Sequence, residues 1–202
     1  MSPFEDEKLD PRVKRTRQMI EQAFDDLIKE KGFQTLIVQD ITERAGINRA
    51  TFYAHFPDKY ALLDHSIRHR FHQELEKRML NVCQFSLGNL RNLVIVVCEF
   101  VDKSHSQCAH SDLQFQALVE VQVRIQIHGL IGHWLEGLPS GVDFPATRAS
   151  ASTAASWALY GLAVEWNRTR RMPPLEEYAD QVLPLLAANL GLNMEAAAPL
   201  PA

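Results

Sequence analysis

The stretch VQDITERAGINRATFYAHF (residues 38–56) constrains the fold more than any other part of this chain. Its apolar residues recur at helical spacing on both sides of a central glycine: Val38, Ile41 and Ala45 before Gly46, and Phe52 and Phe56 after it. The glycine permits a tight turn with a left-handed backbone, and Asn48 is a good N-cap for the second helix. Two short helices held at a steep angle over a small core make a helix-turn-helix.

The second helix of this corner would turn a polar surface outward, formed by Arg49, Ala50, Thr51, Tyr53, Ala54 and His55. Arginine can donate two hydrogen bonds to guanine, and alanine or the threonine methyl can contact the methyl group of thymine. Threonine and tyrosine hydroxyls can reach phosphates. Spacing alone leaves two interpretations open, a DNA-reading surface and a helical corner whose polar side chains are merely solvated.

Helical patterns extend over the rest of the chain. We expect helices over Pro11–Lys31, Val38–Ala45, Arg49–His55, Asp58–Val82, 87–104, 112–117, 119–138, 146–171 and 175–190. The segment VQVRIQI alternates like a strand, but a lone strand would have no sheet to join, so we interpret it as helix. Pro184 lies within the last of these segments and should kink or shorten that helix.

Composition narrows the classes of function. The net charge of −4 opposes a non-specific architectural DNA binder. Basic residues nevertheless cluster in RVKRTR near the N-terminus, and this cluster allows a local phosphate-binding surface. No nucleophile elbow, Gly-rich phosphate loop or HExxH motif points to an enzyme, and we expect no cofactor. The acidic first residues and the lack of a long apolar run predict a cytoplasmic protein with no membrane partner.

The residues of this region, beyond their spacing, closely resemble the DNA-binding domain of the TetR (tetracycline-repressor-like) family. The similarity extends from RVKRTRQMIEQAFDDLIKEKGF through VQDITERAGINRATFYAHFPDKYALL, to about Leu63. It includes the Gly-Phe after the first helix, the D-I-x-x-x-A-G-I turn, the T-F-Y-x-H-F helix and the D-K-x-x-L-L start of the fourth. The resemblance implies an all-α fold: a three-helix helix-turn-helix DNA-binding domain over residues 1–57 and a larger helical ligand-binding and dimerisation domain over residues 58–202.

The resemblance also implies roles for individual residues on double-stranded DNA. Base edges would be reached by Arg49, Ala50 and Thr51, and a base or phosphate by Gln39. Phosphates would be held by Tyr53, His55 and Lys59, with further backbone or minor-groove contacts from Arg12, Lys14 and Arg15. The chain departs from the family at Ile37, where a Ser or Thr usually caps the second helix and contacts a phosphate. Thr42 is a candidate to replace that contact.

The C-terminal two-thirds should supply dimerisation and ligand binding. The small residues of ASASTAASWALYG allow close helix approach, and in the resembled family the last two long helices pair with their copies, so we expect a homodimer on a palindromic operator. An unidentified small-molecule effector would release a repressor from DNA, and the candidates for its pocket are Cys98, Phe100, Phe115, Trp134 and Trp157.

A metal- or redox-responsive regulator of the same fold is the alternative. His65, His69 and His72 share one helical face, and His105, Cys108 and His110 form a second group. The cysteines Cys83, Cys98 and Cys108 include no CxxC pair, and packed or solvated side chains explain both groups without a metal.

Overall fold

The computed structural model describes residues 10–78, 84–107, 113–138 and 147–191. These ranges contain eight α-helices and no strand: α1 (Pro11–Lys31), α2 (Val38–Ala45), α3 (Arg49–His55), α4 (Lys59–Arg78), α5 (Leu87–Gln107), α6 (Leu113–Glu136), α7 (Arg148–Arg168) and α8 (Leu175–Asn189). The all-α fold expected from the sequence is therefore confirmed. None of these helices combines the length and the apolar character that crossing a bilayer requires.

Local capping explains where the first helices begin and end. The Asp10 carboxylate accepts a hydrogen bond from the Arg12 N–H at 2.7 Å, and Pro11 occupies the first helical position of α1. Gly32 ends α1 with a positive φ of 76°, and its N–H bonds the carbonyl of Ile28. The Asp58 carboxylate caps α4 by accepting hydrogen bonds from the N–H groups of Tyr60 and Ala61, both at 2.8 Å.

The middle of the chain differs from the expectation in one element. A separate short helix over 112–117 is wrong, because α6 runs without a break from Leu113 to Glu136. Phe115, Val119, Val123 and Ile127 recur every four residues and are all buried, so one apolar face continues through the segment. No proline or glycine lies between Phe115 and Ile127, and VQVRIQI is helical as expected.

The last two helices pack on each other. The chain leaves α7 through Arg170 and Arg171, both with positive φ, and the Trp166 indole N–H donates to the carbonyl of Pro173 at 2.9 Å. Pro184 does not end α8, which continues to Asn189.

The described residues fall into two compact units. The first comprises those up to Ser66 and those within 106–116, and its core includes Ile20, Phe24, Leu27, Phe33, Ile41, Phe52, Leu62 and Leu63. The second comprises those within 67–105 and from 117 onward, and its core includes Leu75, Val94, Val97, Ile127, Trp134, Leu159 and Ala163. Compactness therefore groups the first residues of α4 with α1–α3, while the division into domains at residue 57 stays a prediction.

Candidate nucleic-acid interface

The turn between α2 and α3 is formed by Gly46 and Asn48. Gly46 has a left-handed backbone, with φ 67° and ψ 33°, a conformation that strains any residue with a side chain. The Asn48 side-chain oxygen then accepts a hydrogen bond from the Thr51 N–H at 2.7 Å, which starts α3. Phe52 is completely buried and packs against Phe56, with ring centroids 6.0 Å apart. One face of α3 is thus fixed to the core.

The start of α2 lacks the usual side-chain cap, as the sequence indicated. Ile37 is 55% exposed and offers no side-chain acceptor to the helix. Asp40 compensates in part, because its carboxylate accepts a hydrogen bond from the Ile37 N–H at 2.9 Å and pairs with the Lys31 ammonium. The hydrogen bond from Lys31, followed by that from the Ile37 backbone, lowers the pKa of Asp40.

A second ion pair ties α2 to α1. The Arg44 guanidinium donates two hydrogen bonds to the Glu30 carboxylate, at 2.8 and 2.6 Å. The hydrogen bond from Arg44 is the main reason that the pKa of Glu30 lies below its usual value. Bidentate geometry of this kind adds directionality, so α2 and α1 are held in register by polar as well as apolar contacts.

The outward face of α3 is open to solvent. Arg49, Ala50, Tyr53 and Ala54 are exposed, and Thr51 and His55 are half-buried. The Arg49 guanidinium donates to the side-chain oxygen of Gln39 on α2 at 2.5 Å, so the structure brings together two of the predicted DNA-contacting residues. Burial, and then the neighbouring Arg17 charge, lowers the pKa of His55. A neutral imidazole would donate one hydrogen bond to a phosphate.

Two other candidates are directed into the protein. The Lys59 ammonium donates to the main-chain carbonyls of Phe33, Gln34 and Leu36, at 3.0, 3.2 and 2.8 Å, so a phosphate would have to compete with these carbonyls for its three N–H groups. Thr42 is buried, and its hydroxyl donates to the Gln39 carbonyl at 2.9 Å. Lys59 thus contacts the loop before α2, and Thr42 contacts the main chain of α2 itself.

The candidates at the start of α1 are placed differently. Arg12 and Arg15 are exposed, and Lys14 is half-buried. Their positions in the first two turns of α1 leave two arginine side chains available to solvent, as a contact to the DNA backbone requires.

The five candidates for a ligand pocket have different surroundings in the structure. Phe115 packs on Phe33 within the first unit, with ring centroids 6.0 Å apart. In the second unit Phe100 and Trp134 are core residues, and Trp157 is 54% exposed beneath the Arg124 guanidinium, which lies 3.5 Å from the ring centroid. This stacking was not anticipated, because the two residues lie on different helices and share no local sequence pattern.

Cys98, the remaining candidate, is fully buried, and burial raises the pKa of its thiol to about 12. Such a thiol carries very little thiolate near neutral pH, which opposes a redox role for it.

A surface groove of about 580 Å³ lies in the second unit, and none of the five candidates is among its lining residues. Trp166 lines it together with charged side chains: Glu74, Lys77, Arg78, Glu99, Asp102 and Lys103. Several of these charges neutralise each other, since Arg78 pairs with Glu99 at 2.5 Å and Lys77 with Glu74 at 3.0 Å.

The three histidines of α4 have separate surroundings. His65 is buried with its Nε2 2.9 Å from Glu21, and His69 lies 2.9 Å from the Gln73 side chain. Burial lowers the pKa of His72. Among the residues that the structure describes, no three His, Cys, Asp or Glu side chains are grouped closely enough to hold a metal ion. The group of His105, Cys108 and His110 lies outside the described side chains.

The arrangement of α1–α3 defines a helix-turn-helix of the class that presents its second short helix to duplex DNA. Residues 22–65 match the sequence model of the bacterial regulatory proteins of the tetR family. The uncharacterized HTH-type transcriptional regulator YxbF of Bacillus subtilis (strain 168) is 39% identical over 64 residues. That match covers 31% of this chain and 17% of YxbF, so the chain spans less than a fifth of this relative.

Solved structures share the fold over most of the chain. A TetR-family regulator from Streptomyces coelicolor A3 has a TM-score of 0.60 at 19% identity, covering 90% of this chain and 97% of that one. FadR of Bacillus subtilis, solved with stearoyl-CoA, has a TM-score of 0.51 at 16% identity, with 85% and 98% covered. The dihydroxyacetone kinase operon activator DhaS has a TM-score of 0.54 at 21% identity, with 87% and 96% covered. Residues 22–65 therefore carry a sequence similar to that of the tetR family, and most of the chain shares its fold with these solved regulators.

Proposed function

We propose that this protein is a sequence-specific, DNA-binding transcriptional regulator that represses until a small-molecule ligand releases it from DNA. The observation that carries the proposal is the two-sided character of α3. Phe52 is completely buried while Arg49, Ala50 and Tyr53 are exposed on the same short helix. A helix anchored by one face and open on the other suits insertion into a major groove about 12 Å wide.

The exposed residues divide by the chemistry that each can perform on DNA. Arg49 has the donors to read guanine, and Ala50 and Thr51 are small enough to contact a thymine methyl. Tyr53 and His55 would donate to phosphates, joined by Arg12, Lys14 and Arg15 from α1. Lys59 and Thr42 would stabilise the protein segments next to this surface, because their polar atoms donate hydrogen bonds to main-chain carbonyls.

We propose that the active form is a homodimer joined through α7 and α8. These helices pack on each other, yet each leaves a large apolar residue partly exposed: Trp157, with one ring face under Arg124, is 54% exposed on α7, and Leu185 is 64% exposed on α8. Ala154 and Gly161 flank Trp157 on the same exposed face and would let a partner helix approach closely. A two-fold dimer presents two copies of α3, which matches a palindromic operator.

The effector would bind in the second unit. Phe100, Trp134 and Cys98 are buried there, so an apolar ligand could enter only if these side chains repack. Helix α4 contributes residues to both units, and we propose that its displacement changes the spacing of the two α3 helices. The ligand could shift this equilibrium only by its difference in affinity for the two states.

Two comparisons guide the choice of ligands and outcomes to test. FadR was solved with stearoyl-CoA, so long-chain acyl-CoA thioesters belong in the first ligand panel. DhaS is an operon activator, so reporter assays should score activation as well as repression.

Selection of binding sites from random duplexes by the full-length protein tests the proposal. A regulator of this kind enriches a palindromic consensus, and Arg49→Ala loses discrimination within it. Arg168→Ala, an exposed arginine on α7, is the matched control and should select the wild-type consensus. No enrichment by the wild-type protein would contradict the proposal. Thermal-shift screening, followed by release of the selected duplex in gel shifts, then identifies the effector.

A further inference from the structure

The side chains of Glu43, Gln39 and Arg49 form a chain of hydrogen bonds across the helix-turn-helix. The Gln39 amide nitrogen donates to the Glu43 carboxylate at 2.8 Å, within α2. The Gln39 amide oxygen accepts from the Arg49 guanidinium at 2.5 Å, between α2 and α3. All three residues are exposed, so this chain lies on the surface and is no part of the core.

The chemistry of the two ends fixes the amide in the middle. A carboxylate can only accept hydrogen bonds, and a guanidinium can only donate them. A flipped Gln39 amide would direct its oxygen at the Glu43 carboxylate and its NH₂ at the Arg49 guanidinium, and both contacts would be repulsive. Glu43 and Arg49 therefore select the same amide orientation independently.

The contact leaves Arg49 able to bind a base. A guanidinium has five N–H donors, and a bidentate pair with guanine uses two of them. Gln39 accepts from the Nη2 nitrogen of Arg49, so it restrains the plane of the guanidinium without occupying all its donors.

We propose that Gln39 is a positioning residue that holds Arg49 in the orientation it uses on DNA, and that Glu43 fixes Gln39. This inference rests on the proposed function and deepens it, because it assigns the specificity of one base pair to three residues rather than to Arg49 alone. The family resemblance implied that Gln39 contacts a base or phosphate directly. In the structure its side-chain oxygen instead accepts a hydrogen bond from Arg49.

The size of the effect follows from the entropy of ordering one long side chain. Immobilising such a side chain on binding costs an amount equivalent to about 2- to 12-fold in affinity. Removing the restraint should therefore reduce discrimination at the base pair read by Arg49 by about this factor, and leave the other positions of the site unchanged.

Gln39→Met removes both hydrogen bonds at nearly constant length and helix propensity. Gln22→Met is the matched control, because the exposed Gln22 amide also donates to a carboxylate four residues on, that of Asp26 at 3.0 Å, but lies on α1. The probes are the palindromic duplex selected by the wild-type protein and all its single base-pair variants. We expect Gln39→Met to weaken discrimination at one pair per half-site, Gln22→Met to weaken none, and both melting temperatures to stay near that of wild type.

Combining substitutions separates positioning from direct reading. If Gln39 acts through Arg49, Gln39→Met has no further effect on discrimination once Arg49→Met is present. If Gln39 reads a base of its own, the two substitutions change different base pairs and their effects add, and the proposal is overturned. If the wild-type protein selects no consensus, the proposed function itself is overturned. That result is distinct from additive effects of the two substitutions, which overturn only this inference.

Substitutions at Glu43 isolate its hydrogen bond from its charge. Glu43→Gln keeps a side-chain acceptor for Gln39, whereas Glu43→Met does not, and both remove one negative charge near the phosphates. We expect the two variants to bind random duplex more tightly by the same factor, with only Glu43→Met losing discrimination at the pair read by Arg49. If Glu43→Gln and Glu43→Met discriminate equally at that base pair, the hydrogen bond from Gln39 to Glu43 has no part in positioning Arg49.

Discussion

The side-chain oxygen of Asn48 accepts two hydrogen bonds from Thr51, one from its N–H at 2.7 Å and one from its hydroxyl at 2.9 Å. The first bond satisfies a backbone donor at the start of α3, which no residue within the helix could do. The second fixes the threonine side chain on the face proposed to meet DNA. One asparagine thus both starts the recognition helix and orients one of its side chains.

Asn48→Ala should lower the free energy of unfolding by about 1 kcal/mol, the usual cost of losing an N-cap side chain. Asn48→Asp keeps the acceptor oxygen and should retain nearly all of the wild-type stability. Urea unfolding followed by circular dichroism measures both. An equal loss in the two variants would show that the cap does not depend on the acceptor.

The bounds of α1, α2 and α3 could be predicted because local signals set them. Pro11 begins α1, Gly46 ends α2 with a left-handed backbone, and Asn48 caps α3. Each signal acts within a few residues of its own position and is therefore visible in the sequence.

Other features depend on residues far apart in the chain and left no local pattern. Lys59 bonds carbonyls more than twenty residues earlier, and no local pattern indicates these contacts, while its phosphate contact, implied by the family resemblance, stays a prediction. The Arg124–Trp157 stack likewise joins two separate helices. The aromatic candidates for a pocket were predicted from residue type alone, and residue type does not distinguish a core tryptophan such as Trp134 from an exposed one such as Trp157.

Arg49→Ala should lower affinity for the selected operator and relax specificity at one base pair per half-site, by about 1–3 kcal/mol for a bidentate arginine–guanine contact. Gel shifts with the complete set of single base-pair variants measure this change. Stability should not change, because Arg49 is exposed. Unaltered preference at every position would remove Arg49 from the base-reading residues.

Lys59→Met should destabilise the protein by about 2–3 kcal/mol, because charge-assisted hydrogen bonds to three carbonyls are lost. At a temperature where this variant is folded, the slope of log affinity against log salt should equal that of wild type. Arg15→Met should show the opposite result, with unchanged stability and a slope reduced by about 1, as expected for a phosphate contact. A reduced slope for Lys59→Met would restore its role as a phosphate contact.

Cys98 should be inert to iodoacetamide in the folded protein. Its pKa of about 12 exceeds that of an ordinary thiol because burial disfavours the thiolate, and at pH 8 only about one thiol in ten thousand is ionised. Mass spectrometry of peptides labelled at pH 8, with and without urea, should find Cys98 modified only after unfolding. Rapid labelling of the native protein would reopen a redox role for this residue.

Leu185→Glu and Trp157→Glu should each convert the proposed dimer to a monomer, because they place a charge on exposed apolar positions of α8 and α7. Met172→Glu, which replaces an apolar side chain 66% exposed between those helices, is the control and should stay dimeric. Sedimentation velocity at micromolar concentration distinguishes the two states. Because a monomer presents only one copy of α3, the two dissociated variants should also bind the full palindrome no more tightly than a single half-site. Dimers that persist in both variants would place the interface elsewhere on the chain.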